Sequence, residues 1–346
     1  MRPLTLRLVL LRCLTLAGVL VVVVIVALKL GAVQVSLYGL TRDLLQVFLH
    51  HASSLSSNYG MIVLDIRLPR ILLAIVVGAS LAVAGTSFQA LLRNPLADPY
   101  VLGVSSGAAL GAIVALIAEP RLALPASVAA LFTPLGAFLG ALATIAAVYF
   151  LGRREGQIDS GTLLLAGIIT ASFLSAVIMF VMTTLTGRDL RGTAFWLMGD
   201  LSSSLQPSLR WVLGVGFVIA SATIYASAAD LNLLLSGEKE AMHLGVDVPR
   251  VRLVVYVAAS VLTGLAVSVS GAIGYVGLLV PHVMRLLFGS DHRILLPTAA
   301  FGGAIAVVIA DTLARTVVAP AELPVGAMTA MAGAPLFIYL LRRRMA

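Results

Sequence analysis

The feature that most constrains the fold is a succession of ten apolar stretches, most of them close to 20 residues long. A helix needs about 20 apolar residues to cross the roughly 30 Å hydrocarbon core of a bilayer. The alternating pattern of a membrane strand is absent. The sequence therefore predicts an all-α, polytopic membrane protein with ten transmembrane helices in a single transmembrane domain over 1–346. The stretches lie at about 8–28, 71–92, 101–118, 122–151, 161–187, 211–229, 253–273, 274–288, 294–319 and 323–341.

Charge distribution predicts the orientation in the membrane. An even number of spans places both termini on one side, and placing them inside leaves 14 of the 23 basic residues inside and 9 outside. Basic residues concentrate in cytoplasmic loops, so both termini are predicted to be cytoplasmic. The net charge of +8 is therefore interpreted as a topology signal, and no nucleic-acid partner is expected. The first stretch is too long for a secretory signal and lacks a clear cleavage site, which favours an uncleaved span.

Motifs for catalysis or nucleotide binding are absent from the sequence. It has no GxxxxGK[ST], HExxH or GxSxG motif, and its only lysines are Lys29 and Lys239. A phosphate-binding loop needs its lysine. The single cysteine, Cys13, excludes a cysteine metal cluster, and His282 after Pro281 is expected to hydrogen-bond at a helix end. We expect neither an enzyme nor a metal site.

The most polar interruption is an inner loop at about 230–252, which contains SGEKEAMHLGVDVPRVR. Ser236 can cap a short helix that has Glu238 and Glu240 in its first turn and Gly245 at its end. Val248-Pro249 is expected to stop the segment before the next span. The acidic start disfavours an anionic membrane surface, so docking to a soluble partner is preferred.

Two patterns leave alternatives open. GASLAVAG at Gly78–Gly85 resembles GLAVSVSG at Gly264–Gly271, in spans of opposite direction. The similarity indicates a possible inverted repeat or ordinary close packing of small residues. In the fifth span, serines and methionines spaced by three and four residues share one helical face, which indicates either a pathway lining or simple packing. That face carries Ser172, Ser175, Met179 and Met182.

Several long sequence blocks are distinctive. The blocks are RLPR at Arg67–Arg70, QALLRNPLADPYVLGVSSGA at Gln89–Ala108, LLLAG at Leu163–Gly167, FWLMGDL at Phe195–Leu201, GAIGYVGLLVPHVMRLLFGSDHRILLP at Gly271–Pro297 and ELPVGAMTAMAGAPLFIYLL at Glu322–Leu341. With these blocks the chain resembles the FecCD-type permeases, the membrane subunits of type II ABC importers for cobalamin, haem and ferric siderophores. The similarity is colinear from about residue 60 to the C-terminus.

The resemblance implies an assembly in the bacterial inner membrane. Its expected members are a second copy of the chain, two cytoplasmic ATPase subunits that bind ATP and Mg, and a periplasmic substrate-binding protein. No cofactor is expected on this chain itself. The implied cargo is a metal chelate, and the sequence does not choose among siderophore, cobalamin and haem.

The resemblance also implies roles for individual residues. The ATPase-coupling positions would be Gly237, Glu238, Ala241, Leu244 and Gly245. The binding protein would dock on Arg67, Arg70 and Arg315, since a guanidinium binds a carboxylate with two hydrogen bonds. The inner gates would be Asn94 and Leu96, and Ser160 and Gly161, although the family often has a hydroxyl residue where Gly161 stands. The pathway lining would be Ser172, Ser175, Met179 and Met182.

Other readings compete with these roles. Arg67 and Arg70 would otherwise anchor the second span at the membrane interface, and Arg315 would pair with Asp311 four residues earlier. An ion-coupled secondary transporter would need an intramembrane carboxylate or histidine, for which Asp311 is the candidate. An intramembrane enzyme lacks a nucleophile and base. The sequence therefore favours a transport subunit whose ATP hydrolysis is supplied by a separate protein.

Overall fold

The computed structural model describes residues 5–31, 62–154, 157–158, 160–185, 187–202 and 206–345, which are almost entirely helical. A hairpin of two-residue strands pairs Arg153–Arg154 with Gln157–Ile158. The α-helices are α1 (Leu6–Lys29), α2 (Leu68–Leu91), α3 (Val104–Leu122), α4 (Ala126–Leu151), α5 (Ser160–Met182), α6 (Gly187–Leu197), α7 (Pro207–Ala226), α8 (Ala228–Ser236), α9 (Glu238–His243), α10 (Val248–Ser270), α11 (Val276–Phe288), α12 (His292–Thr316) and α13 (Val325–Met345). A π-helical turn, Ile62–Arg67, leads into α2, and a 3₁₀ turn, Pro99–Leu102, precedes α3.

Each of the ten predicted apolar stretches coincides with a helix, which confirms the all-α polytopic class. Among the described residues, eight helices are long and apolar enough to cross a membrane. The two shorter apolar helices are α11 and the part of α13 over Val325–Tyr339. With 13 residues and a rise of about 1.5 Å per residue, α11 covers only about 20 Å of the bilayer. The count of ten spans therefore stays a prediction.

Burial separates a central group of helices from a peripheral one. In the most apolar 18-residue window of each helix, 83% of α2, 72% of α10 and 61% of α12 is buried, against 0% of α1. Lipid tails are as apolar as leucine, so no hydrophobic force holds these helices together and close packing of small residues must do so. Because α2 is the most buried of these helices, it lies at the centre of the described bundle.

Two glycines of α2 allow this close approach. A Cβ atom added at Gly78 would overlap the carbonyl of Gly303 on α12. A Cβ added at Gly85 would overlap the carbonyl of Gly277 on α11. Backbone therefore packs directly on backbone on two sides of α2, as membrane helix pairs with small residues do.

The matching glycines of the predicted repeat have different surroundings. Gly264 on α10 has ordinary van der Waals space beside Phe138 and Ala141 of α4. Gly271 follows α10 with a φ of +61°, a conformation that favours glycine, and a Cβ added there would overlap the carbonyl of Trp196 on α6. Close packing explains Gly78 and Gly85, whereas the inverted repeat itself stays a prediction.

The predicted glycine break between the seventh and eighth spans is present. Helix α10 ends at Ser270 and α11 begins at Val276, after Tyr275 at a φ of +67°. The carbonyl of Ser270, at the end of α10, accepts a hydrogen bond from the backbone N–H of Asp200 at 2.8 Å. The segment after α6 thus supplies a hydrogen-bond donor for a carbonyl that has no partner within the helix. Such partners are required wherever a helix is interrupted inside a membrane protein. His282 lies within α11, so its predicted position at a helix end was wrong.

We expect Gly78→Ala to destabilise the protein, because the new methyl group would push α12 away from α2. Overpacking of this kind costs about 1–3 kcal/mol, and it should lower the apparent Tm of the detergent-solubilised protein. Gly18→Ala on α1 is the matched control, since nothing lies within 4 Å of its added Cβ. Equal Tm values for the two variants would contradict the packing argument.

Candidate functional site

The inner polar segment forms two short helices that meet at Gly237. Helix α8 ends at Ser236, and Gly237 is the N-cap of α9 with a φ of +130°. The predicted cap at Ser236 was therefore wrong, because Ser236 belongs to the preceding helix. Gly245 follows α9 with a φ of +87°, as predicted for a terminating glycine. Val248-Pro249 opens α10, whose N-cap is Asp247, and proline suits this first turn because its missing N–H would be unpaired there.

Helix α9 has one buried side and one exposed side. Ala241 is fully buried and Val246 nearly so, and both belong to the core beneath the segment. Met242 is 51% exposed and Leu244 is 66% exposed. Ala241 therefore holds α9 against the membrane domain, and its predicted role in ATPase coupling stays a prediction. The exposed apolar side chains remain available to a partner.

Glu238 connects α9 to two other parts of the chain. Its Oε1 accepts hydrogen bonds from Arg93 Nη2 at 2.7 Å and from Arg252 Nη2 at 2.5 Å. Arg93 follows the end of α2, and Arg252 lies in the first turns of α10. The sequence analysis missed this link, since Arg93 and Glu238 are 145 residues apart and neither local spacing nor periodicity relates them.

A second polar contact joins α8 to the start of α12. Asn232 donates its side-chain N–H to Asp291 Oδ1 at 2.8 Å and accepts from the backbone N–H of His292 at 2.9 Å. Asp291 also caps α12 and binds Arg293. Hydrogen bonds from Arg293, together with the one from Asn232, lower the pKa of Asp291 to about 2. The inner segment is thus attached to the membrane helices at both of its short helices.

The first predicted gate begins in a tight turn after α2. The Asn94 Oδ1 accepts the backbone N–H of Leu96 at 2.9 Å, an interaction that fixes the start of the NPLADP loop. Leu96 is 47% exposed. At the second predicted gate, Ser160 is the first residue of α5 and Gly161 is exposed. The gating role of these four residues stays a prediction.

The predicted pathway face of α5 is largely uncovered in the single chain. Ser172, Ser175 and Met179 are exposed, with Met179 at 71%, and Met182 is half-buried. Exposure of two hydroxyl-bearing residues and a thioether on one face is compatible with a lining that a second copy completes. The role of this face stays a prediction.

The three outer arginines are buried and bound within the chain. Arg70 Nε lies 2.7 Å from Asp311 Oδ1, and Arg315 Nε lies 3.0 Å from Asp311 Oδ2. Arg70 Nη1 also pairs with Glu322 Oε2 at 2.8 Å. Arg67 Nη1 donates to the carbonyl of Leu28 at 2.6 Å, at the end of α1. The ion pair between Arg315 and Asp311, which was the alternative interpretation of Arg315, is present. Docking of a binding protein on any of the three arginines stays a prediction.

Two cavities lie beside these elements. One of about 560 Å³ is lined mainly by apolar and glycine residues of α3 and α4, with Thr144 of α4 and Leu174 of α5. The other, of about 540 Å³, lies between the outer halves of α2 and α7 and includes Arg70 and Arg210 in its lining. Neither was predicted from the sequence, because each depends on how distant helices approach one another.

Comparison with known proteins identifies the kind of molecule that carries this arrangement. Residues 19–343 match the FecCD transport family. The cobalamin import system permease protein of Halobacterium salinarum is 46% identical over 284 residues, covering 82% of this chain and 74% of that protein. The hemin transport system permease protein of Yersinia pestis is 44% identical over 292 residues, covering 84% and 86%. These sequence identities relate the chain to transport permeases whose named cargoes differ.

A solved structure agrees with these relatives. An inward-facing conformation of a metal-chelate type ABC transporter superposes with a TM-score of 0.79 at 30% identity, covering 96% of this chain and 99% of that one. The helical bundle with its inner polar segment is that of a multi-pass membrane permease, a transport subunit and not itself an enzyme. The chain belongs to the FecCD transport family.

We expect Asp311→Asn to be strongly destabilising, because it leaves two buried guanidinium groups without their shared carboxylate. Breaking a buried ion pair from one side typically costs about 3–5 kcal/mol. The apparent Tm in detergent should fall well below that of Glu322→Gln, whose side chain is 45% exposed and whose pair is worth about 1 kcal/mol or less. Similar Tm values for the two variants would contradict the expectation that Asp311 is the more costly partner to remove.

Proposed function

We propose that this permease is the transmembrane subunit of an ABC importer that moves a metal chelate across the bacterial inner membrane. The observation that carries the proposal is the family match over 19–343, together with the likeness to a metal-chelate type ABC transporter. The cargo belongs to the class of iron siderophores, cobalamin and haem. The named cargoes of the similar permeases differ, so the external binding protein is the better candidate for the selective component.

ATP hydrolysis is proposed to occur on two separate cytoplasmic subunits that bind ATP and Mg. The sequence of this chain has no phosphate-binding loop. The inner segment supports a docking surface, since Met242 and Leu244 expose apolar side chains beside the polar residues of α9. An exposed apolar residue with a polar surround is typical of a protein contact. Both termini are proposed to lie on the same, cytoplasmic side.

A second copy of the chain is proposed to complete the transport pathway along α5. The exposed face with Ser172, Ser175 and Met179 supports this arrangement. A large cargo needs a wide passage that binds it weakly, and small hydroxyls with flexible thioethers provide such a surface. The outer end is proposed to receive a periplasmic binding protein near Arg67, Arg70 and Arg315. Glu322, the more exposed partner of Arg70, is also available there.

The ion-coupled alternative has less support. Its candidate carboxylate, Asp311, is fully buried and uses one oxygen for Arg70 and the other for Arg315. A proton or cation carrier must release and rebind its ligand, whereas this carboxylate is held by two guanidinium groups of the bundle. Asp311 therefore fits a structural role better than a transport role.

Reconstitution tests the proposed function directly. The chain would be placed in liposomes with its proposed ATPase and binding-protein partners, and uptake of radiolabelled cobalamin, hemin and a ferric siderophore would be measured. We expect uptake of one of these cargoes that requires ATP and the binding protein. Uptake driven by an ion gradient without ATP would overturn the proposal.

Met179→Trp should block uptake, because an indole at an exposed position of α5 would narrow a passage shared by two copies. We expect at least a tenfold lower import rate with normal recovery of the dimer and the bound ATPase. Val22→Trp, at a position 59% exposed on α1, is the matched control and should import normally. Normal import by Met179→Trp would remove α5 from the pathway, and loss of the dimer would instead assign Met179 to packing.

A further inference from the structure

We propose that Glu238 is a positioning residue that joins the ATPase-facing helix α9 to the gate loop after α2, through its hydrogen bond with Arg93. The inference rests on the proposed function and on the predicted gate at Asn94 and Leu96, and it names the contact that would carry motion from α9 to that gate. It is built on three side chains, Arg93, Glu238 and Arg252, here called the inner link.

The three members of the inner link differ in burial. The side chain of Arg252 is 8% exposed, that of Glu238 31% and that of Arg93 43%. Arg252 lies in the first turns of α10, one of the central helices, so it provides a fixed cation beneath Glu238. Arg93 is the outermost member and belongs to a loop. The same carboxylate oxygen thus binds an anchored guanidinium and a more accessible one.

The backbone at Arg93 gives its side chain a defined direction. Arg93 has a φ of +47°, a left-handed conformation that normally favours glycine at a helix end. Two hydrogen bonds close this turn, from Arg93 N–H to the Ala90 carbonyl at 3.2 Å and from Asn94 N–H to the Gln89 carbonyl at 3.1 Å. An arginine at a position suited to glycine indicates that the side chain has a use there, and its described ion pair is with Glu238.

The route from Arg93 to the predicted gate is short and held by hydrogen bonds. Asn94 follows directly, and its side chain accepts the Leu96 N–H at 2.9 Å. A displacement of Arg93 would therefore move Asn94 and Leu96 with it, because little of the intervening backbone is free to absorb the change.

At the other end of the link, α9 is suited to move as one unit. It lies between Gly237 and Gly245, which have φ values of +130° and +87°. Glu238 is the first residue after the first of these glycines. Reorientation of α9 by a docked ATPase would act on Glu238 at once and, through it, on Arg93.

The contact of Asn232 with Asp291 and His292 provides an internal comparison. It also attaches the inner segment to a membrane helix, but it leads to α12 and not to the loop after α2. If attachment alone mattered, removing either contact would have the same effect. If the inner link transmits motion to the gate, only its removal should change how efficiently hydrolysis drives import.

The test is the number of ATP molecules hydrolysed per cargo imported by the full complex in liposomes. Arg93→Gly is the informative variant, since glycine suits the left-handed turn while the contact with Glu238 is lost. We expect this variant to assemble and hydrolyse ATP at a rate within about twofold of the unaltered complex. Its import should fall at least fivefold, so the ratio rises by a similar factor. Arg93→Lys, which keeps a cation, should recover part of the import.

Asn232→Leu is the matched control, expected to lower the Tm while leaving the ratio unchanged. An unchanged ratio in Arg93→Gly, an equal rise in Asn232→Leu, or loss of ATPase binding in Arg93→Gly would each overturn the inference. These outcomes are distinct from failure of the proposed function, which would appear as an absence of ATP-driven uptake by the unaltered complex.

Discussion

Close backbone contact around α2 is the constraint on which the other features of this bundle depend. In a bilayer, the packing of helices must replace the hydrophobic force that assembles soluble proteins. Gly78 and Gly85 bring α2 against the carbonyls of Gly303 and Gly277, so α12 and α11 approach more closely than any larger side chain would permit. This contact positions both ends of α2, and each end carries a polar cluster.

At the outer end, burial of charge is tolerated because the charges are shared. Asp311 places one oxygen on Arg70 of α2 and the other on Arg315 of α12, and Glu322 holds Arg70 from the following loop. Such pairs add little net stability compared with an apolar core, but removal of one partner is costly. They join α2 and α12 in a single register. The same residues were predicted to receive an external protein, and any such contact would have to act on a cluster that is already internally bound.

At the inner end, the arrangement is more open. Glu238 binds one buried and one accessible arginine, while α9 exposes Met242 and Leu244 beside it. A weaker, partly solvated link would suit the movement proposed for α9, because local rearrangement is drawn from the less stable parts of a structure. The two ends of α2 therefore differ in a way that agrees with a firm outer frame and a movable inner contact.

The sequence was enough to predict the class, the ten apolar stretches, the glycine break after Ser270 and the family, because hydrophobic length and long motif blocks are local properties of the chain. It also placed a helix within the inner loop. It misplaced the N-cap at Ser236 by one residue, because the end of α8 at Ser236 depends on how the two short helices pack. Local spacing offered the Arg315–Asp311 pair as an alternative, whereas the pairing of Arg70 with Asp311 and of Arg93 with Glu238 is seen only in the folded chain. Arg70 and Asp311 are 241 residues apart, and Arg93 and Glu238 are 145 residues apart, so helix packing alone brings each pair together.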